Sequence, residues 1–268
     1  MSSVLYLFLT HLGLGIAGSL LLVGRDAGAQ FFRFNSGLAS TLLLIGLAFR
    51  QEPTASGSFD FDAVGFGALL VSTGALLIYW ASIGRGLSGL RPYLLWTTFL
   101  GGIVSLVAQG VGLSGGEIAF APALTVVSFL SSAALLGGAC TAMILGHWYL
   151  VLPSMDVSLL QSIVKFHIGS TVARAVVVAA VVWVALVTWS APSGAGYDQY
   201  VLSIDGVFVW QRVLFGLASP GLLSYLTWET AKIRSTQSAT GILYVDFFTV
   251  VVGEVLAKYL LLSTMVPL

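Results

Sequence analysis

Asp246, Glu254 and Lys258 fall within one apolar stretch, near 241–265. An ionised side chain at hydrocarbon depth costs about 2.5–3.5 kcal/mol even on the lenient scale, so each needs a partner or a purpose. Glu254 and Lys258 are spaced i, i+4 and can pair on one helix face. Such a pair reads either as self-neutralising packing or as an ion, proton or ligand site. Asp246 has no partner at that spacing on its own helix. It requires one from another helix, or a proton.

Another stretch offers that partner. His167, Ser170, Thr171 and Arg174 recur at i, i+3, i+4 and i+7, which is one face of a helix. Arg174 lies too deep for easy snorkelling and is expected to meet Asp246. His147, at the end of the preceding span, is expected on the same membrane side. His147, His167, Arg174 and Asp246 therefore predict a quinone or proton site. Glu254, Lys258, Arg212 and His11 predict a second polar constellation in the other half of the bilayer. Pro220 interrupts the stretch that carries Arg212 and is read as a packing bend.

The only other metal or redox candidates are weak. Cys140 is the sole cysteine, which rules out an intrachain disulfide and a multi-cysteine metal centre. His147 and His167 could flank a single b-type haem, whereas three histidines cannot supply the four ligands of two bis-histidine haems. Quinone is the stronger cofactor expectation, and no metal site is predicted. No P-loop, dinucleotide fingerprint or Gly-x-Ser-x-Gly elbow occurs.

The elements that must position these residues are membrane spans. Of 268 residues, 57% are hydrophobic and 8% charged, against about 25% charged in soluble domains. Mean hydropathy is +0.98. So few charges cannot coat a water-facing surface. A zero net charge, from 11 basic and 11 acidic residues, argues against nucleic-acid binding. A span takes roughly 20 apolar residues. Candidate spans lie near 3–23, 34–50, 64–84, 93–113, 123–147, 160–190, 207–227 and 241–265. The runs are continuous rather than alternating, which favours helices over a barrel. The expected fold is an all-α polytopic bundle of about eight helices in a single domain, 1–268. The first stretch lacks a basic n-region and a cleavage pattern, so it is read as a retained span.

Orientation follows from lysines and arginines near short loops. Arg25, Arg33, Arg85, Arg91, Lys165, Lys232 and Arg234 belong to the odd loops, and only Arg50 to the even ones. This seven-to-one bias predicts cytoplasmic odd loops and both termini outside. Trp80, Tyr93, Trp96, Trp148, Trp189, Trp210, Trp228 and Tyr244 cluster near span ends, as an aromatic belt would. Small residues at four-residue spacing, such as Gly15/Ser19 and Ala133/Gly137, predict close helix packing.

The last stretch reads Val252-Gly253-Glu254-x3-Lys258-Tyr259. With eight spans and both ends outside, it resembles the membrane anchor subunits of quinone-linked oxidoreductases of the dimethyl sulfoxide reductase type. The resemblance implies a subunit that binds menaquinol or ubiquinol, is not catalytic alone, has no redox centre of its own and docks to catalytic partners. Glu254-Val255-Leu256-Ala257-Lys258 also looks like the Schiff-base turn of microbial rhodopsins. The Arg-Tyr-x-Asp-Trp pattern of that family is missing from the third span.

The expected function is thus an integral membrane subunit of a respiratory or electron-transfer complex, quinone-interacting, in a bacterial inner membrane. A structural accessory subunit without a ligand site is the first rival. A small-molecule or ion transporter is the second.

Overall fold

A computed structural model describes residues 1–50, 61–85, 88–114, 122–152, 155–189, 194 and 196–268. In hydrocarbon no water meets the backbone N–H and C=O groups, so each apolar run must bond itself internally, and it does so as helix. The long helices are α1 (Ser2–Ser19), α2 (Ala29–Ala48), α3 (Phe61–Ser82), α4 (Arg91–Ser114), α5 (Pro122–Val151) and α6 (Val157–Thr188). After the short α7 (Tyr197–Val201) come α8 (Val207–Val213) and α9 (Ser219–Lys232), continuous through a π-helical turn at Leu214–Ala218. The last is α10 (Thr236–Thr264). No strand occurs among the described residues. Among the described residues seven helices are long and apolar enough to cross a membrane, α8–α9 counting as one. The eighth expected span corresponds to α10, whose 29 residues reach about 43 Å at 1.5 Å per residue.

Several boundaries differ from expectation. The second helix starts at Ala29 rather than 34, because Gly28, at φ +85°, precedes it as N-cap and Gln30 and Arg33 extend its first turns. The fifth and sixth run to Val151 and from Val157. The seventh runs on to Lys232. The eighth begins at Thr236. Polar first and last turns are helical although no hydropathy window includes them. The loops read near 51–63, 85–92, 114–122, 154–158 and 191–205 fall partly outside the described residues.

Neighbouring ends show alternating helix directions. At the arginine-rich end Phe31 stacks edge-on against Trp148 at 6.0 Å, and Thr240 donates to the Gly146 carbonyl at 2.9 Å. At the other end the Trp189 indole donates to the Thr264 carbonyl at 2.9 Å. There Arg50 pairs with Asp62, joining the end of α2 to the start of α3. Helices α1 and α5 are the most enclosed. Their backbones touch where Gly15 faces Gly137, and a Cβ on either would overlap the other helix. Four residues on, Ser19 and Thr141 hydroxyls bond at 2.5 Å. The small-residue spacing thus serves packing. Mid-helix Val71, Ile78, Leu100, Val172, Val176 and Leu222 point outward, an apolar coat suited to lipid.

Candidate functional site

Arg174 of α6, Arg212 of α8 and Glu254 and Lys258 of α10 converge in the interior. Glu254 is the hub. Its Oε1 accepts from Arg174 Nε at 3.0 Å and from Arg212 Nη2 at 2.8 Å. Its Oε2 accepts from Ser132 Oγ at 2.5 Å and from Arg174 Nη2 at 3.3 Å, with Lys258 Nζ at 3.5 Å. Arg174, Arg212 and Glu254 are wholly buried, and Lys258 nearly so.

Arg174 is held on all sides. Nη1 donates to the Ser128 carbonyl at 3.1 Å and to Ser128 Oγ at 2.8 Å. Nη2 also donates to the main-chain oxygen of Leu268 at 2.7 Å. Lys258 Nζ donates to Ser132 Oγ at 2.7 Å and stands 5.4 Å from the centre of the Phe129 ring. His11 Nδ1 meets the same Ser132 hydroxyl at 3.3 Å. All three nitrogens of Arg174 are bonded, whereas Nε and Nη1 of Arg212 have no partner among the described residues, so the burial of three cations rests chiefly on their shared carboxylate.

The backbone makes room for the network. Gly216, in the π turn, lies directly against Gly253 of α10, and the Arg212 guanidinium fills the space a Gly216 side chain would take. Pro220 has no N–H to offer the Gly216 carbonyl, and the π turn lies just before it. The interruption read from Pro220 is therefore part of the cluster's seating.

The second buried pair lies 8 residues nearer the start of α10, about 12 Å along the helix. His167 Nε2 stands 2.7 Å from Asp246 Oδ2, with both side chains fully enclosed. One proton is shared across this contact, between the His167 ring nitrogen and the Asp246 carboxyl oxygen. His167 Nδ1 and Asp246 Oδ1 have no partner among the described residues.

The expected groupings are thus rearranged. Arg174 pairs with Glu254 and not with Asp246, because Asp246 lies two turns away on α10, level with His167. His147 is exposed, and its Nδ1 meets the Tyr244 hydroxyl at 2.8 Å. Tyr244 and Asp246 are two residues apart on α10, some 200° around the helix. His147 and His167 therefore occupy different sides of α10 and do not converge on one iron. No group of three or more potential metal ligands occurs among the described residues. His11, Arg212, Glu254 and Lys258 do come together, and Arg174 joins them. Ser132, which bridges Glu254, Lys258 and His11, and Ser128, beneath Arg174, were not singled out in the sequence. Their signal was the serine group at 128, 131 and 132 in an otherwise apolar run.

No family model matches the chain, and no curated protein matches it. The fold and its buried charges define the class: an all-α, polytopic membrane protein with an ionic network inside the helix bundle.

Proposed function

We propose that this chain is the membrane subunit of a respiratory or electron-transfer complex, with His167 and Asp246 as its quinone-interacting, proton-handling pair. The observation that carries the reading is the enclosed His167–Asp246 contact with one polar atom of each residue left over. A bound quinol supplies two electrons and two protons. His167 Nδ1 accepts one hydroxyl proton and Asp246 Oδ1 the other, and the two electrons leave for an acceptor on a catalytic partner subunit. The catalytic subunits that exchange the electrons are separate chains in this reading.

The test is quinone retention. The protein purified in mild detergent is extracted, the organic phase analysed for quinones, and binding of an added short-chain quinone titrated. Parent protein binds, and His167→Ala and Asp246→Asn lose binding without loss of helix content. Equal binding by parent and both variants, or none by the parent, removes the assignment.

A second reading rests on a different observation. The π turn locally widens α8–α9 beside Glu254, and π turns within α-helices frequently lie at functional sites. Uptake or proton flux in proteoliposomes that requires Glu254 would favour an ion transporter over the quinone reading.

A further inference from the structure

Away from the ionic network, a cavity of about 440 Å³ opens at the arginine-rich end of the bundle. The end of α1, the start of α2, the end of α3 and the start of α4 enclose it. Its wall mixes polar and apolar surface in about equal parts, with Phe32, Leu95 and Trp96 among the apolar lining side chains, and Tyr79 adds one hydroxyl. Arg25 and Arg91 are the only charged residues of the lining.

Arg91 is built into place. Its Nη2 donates to the main-chain oxygens of Ser82, at 2.9 Å, and Arg85, at 3.1 Å, closing the end of α3. Its Nε is buried with no partner among the described residues. Arg25, on the 3-10 turn Arg25–Ala27, lines the same cavity. Two guanidiniums thus border a cavity that carries apolar side chains and has no carboxylate among its described lining residues. Tyr93 and Trp96, both exposed on the first turns of α4, place this level at the headgroup boundary.

The geometry points to an anionic phospholipid as the occupant, its phosphate between Arg25 and Arg91 and its acyl chains against Phe32, Leu95 and Trp96. Basic pockets between transmembrane helices suit such headgroups. Charge favours an anionic over a zwitterionic lipid, because the two arginines outnumber the one acid beside them, Asp26 on the turn of Arg25. Phe32, Leu95 and Trp96 favour a lipid over a free soluble anion, which would leave those side chains uncovered.

The experiment is native mass spectrometry of the purified full chain after delipidation and titration with phosphatidylglycerol, phosphatidylcholine or inorganic phosphate. Phosphatidylglycerol is expected to bind at least about tenfold more tightly than phosphatidylcholine, with inorganic phosphate failing to displace it. Arg25→Gln/Arg91→Gln abolishes the preference. Arg33→Gln/Arg85→Gln, at the same end but outside this cavity, retains it. Equal losses in the two double variants would show a diffuse surface attraction and overturn the proposal. So would displacement by inorganic phosphate, or a quinone adduct that the Arg25/Arg91 variant loses. Should Arg91 prove necessary for folding, Arg25→Gln alone, at an exposed residue, must still weaken the preference several-fold.

Discussion

Arg174 on α6 grips Glu254 on α10 through two donors, Nε at 3.0 Å and Nη2 at 3.3 Å, with both side chains closed off from the surface. The two helices are joined by side chains, here and at His167–Asp246, while α5 and α9 pack between and beside them. Their relative position therefore depends on polar contacts in a medium where nothing else can satisfy those groups.

Removing the carboxylate tests this dependence. Glu254→Gln keeps the shape and deletes the single acidic side chain facing Arg174, Arg212 and Lys258. Breaking a buried pair by removing one partner typically costs about 3–5 kcal/mol. Glu254→Gln is expected at the upper end, since three cations lose their counter-charge together. Denaturant unfolding in detergent, followed by circular dichroism, measures it. Parent-like stability would show that the network does not hold the bundle.

The α1–α5 crossing makes a separate prediction. Gly137→Ala places a methyl group into the Gly15 backbone, where neither partner has a side chain to move aside. Overpacking usually costs 1–3 kcal/mol, and contact with backbone puts this substitution at about 3 kcal/mol or more. Gly74→Ala, where a Cβ meets nothing within 4 Å, is the matched control and should be neutral or slightly stabilising. Thermal stability in detergent separates the two.

Much of this was readable in the sequence, and the failures have definite causes. Hydropathy located every long helix, because the cost of unbonded backbone in lipid leaves few alternatives. Periodicity put His167, Ser170, Thr171 and Arg174 on one buried face, as found. Helix partners were not legible. Arg174 was expected to meet Asp246, but the axial offset between α6 and α10 is set by packing on α5 and α9, and it brings Arg174 level with Glu254. Ser132 escaped notice because a serine in a span usually bonds its own helix, whereas this one donates to Glu254. The π turn was foreshadowed only by Pro220.

Acid should act first at the exposed N-cap of α6. Asp156 Oδ1 accepts from the Ser158 backbone N–H at 3.0 Å, and this bond lowers the Asp156 pKa below the ordinary value. A depressed pKa contributes stability that is present above the unfolded value, about 3.9, and lost as pH falls through the folded value. Asp156→Asn keeps a capping oxygen but cannot titrate, so its stability should lack that acid-side decline. Hydrogen exchange of the first turn of α6, followed from pH 5 downward, reports it. Identical pH profiles for parent and variant would remove the cap from the account.

Lys258 distinguishes a structural network from a working one, because its loss should have the opposite consequence to that of Glu254. With Lys258→Met the stem volume is nearly kept, the ammonium goes, and Glu254 still accepts from Arg174, Arg212 and Ser132. One of three mutually repelling cations leaves a site of low dielectric, so the desolvation cost of that ion disappears with it. Stability is expected to stay within about 1 kcal/mol of the parent, or to rise. A collapse comparable with that of Glu254→Gln would mean that Lys258, and not the arginines, neutralises the carboxylate. If the variant folds normally yet loses proton flux or quinol-coupled turnover, Lys258 is present for proton handling, since packing alone would not have required a charge there.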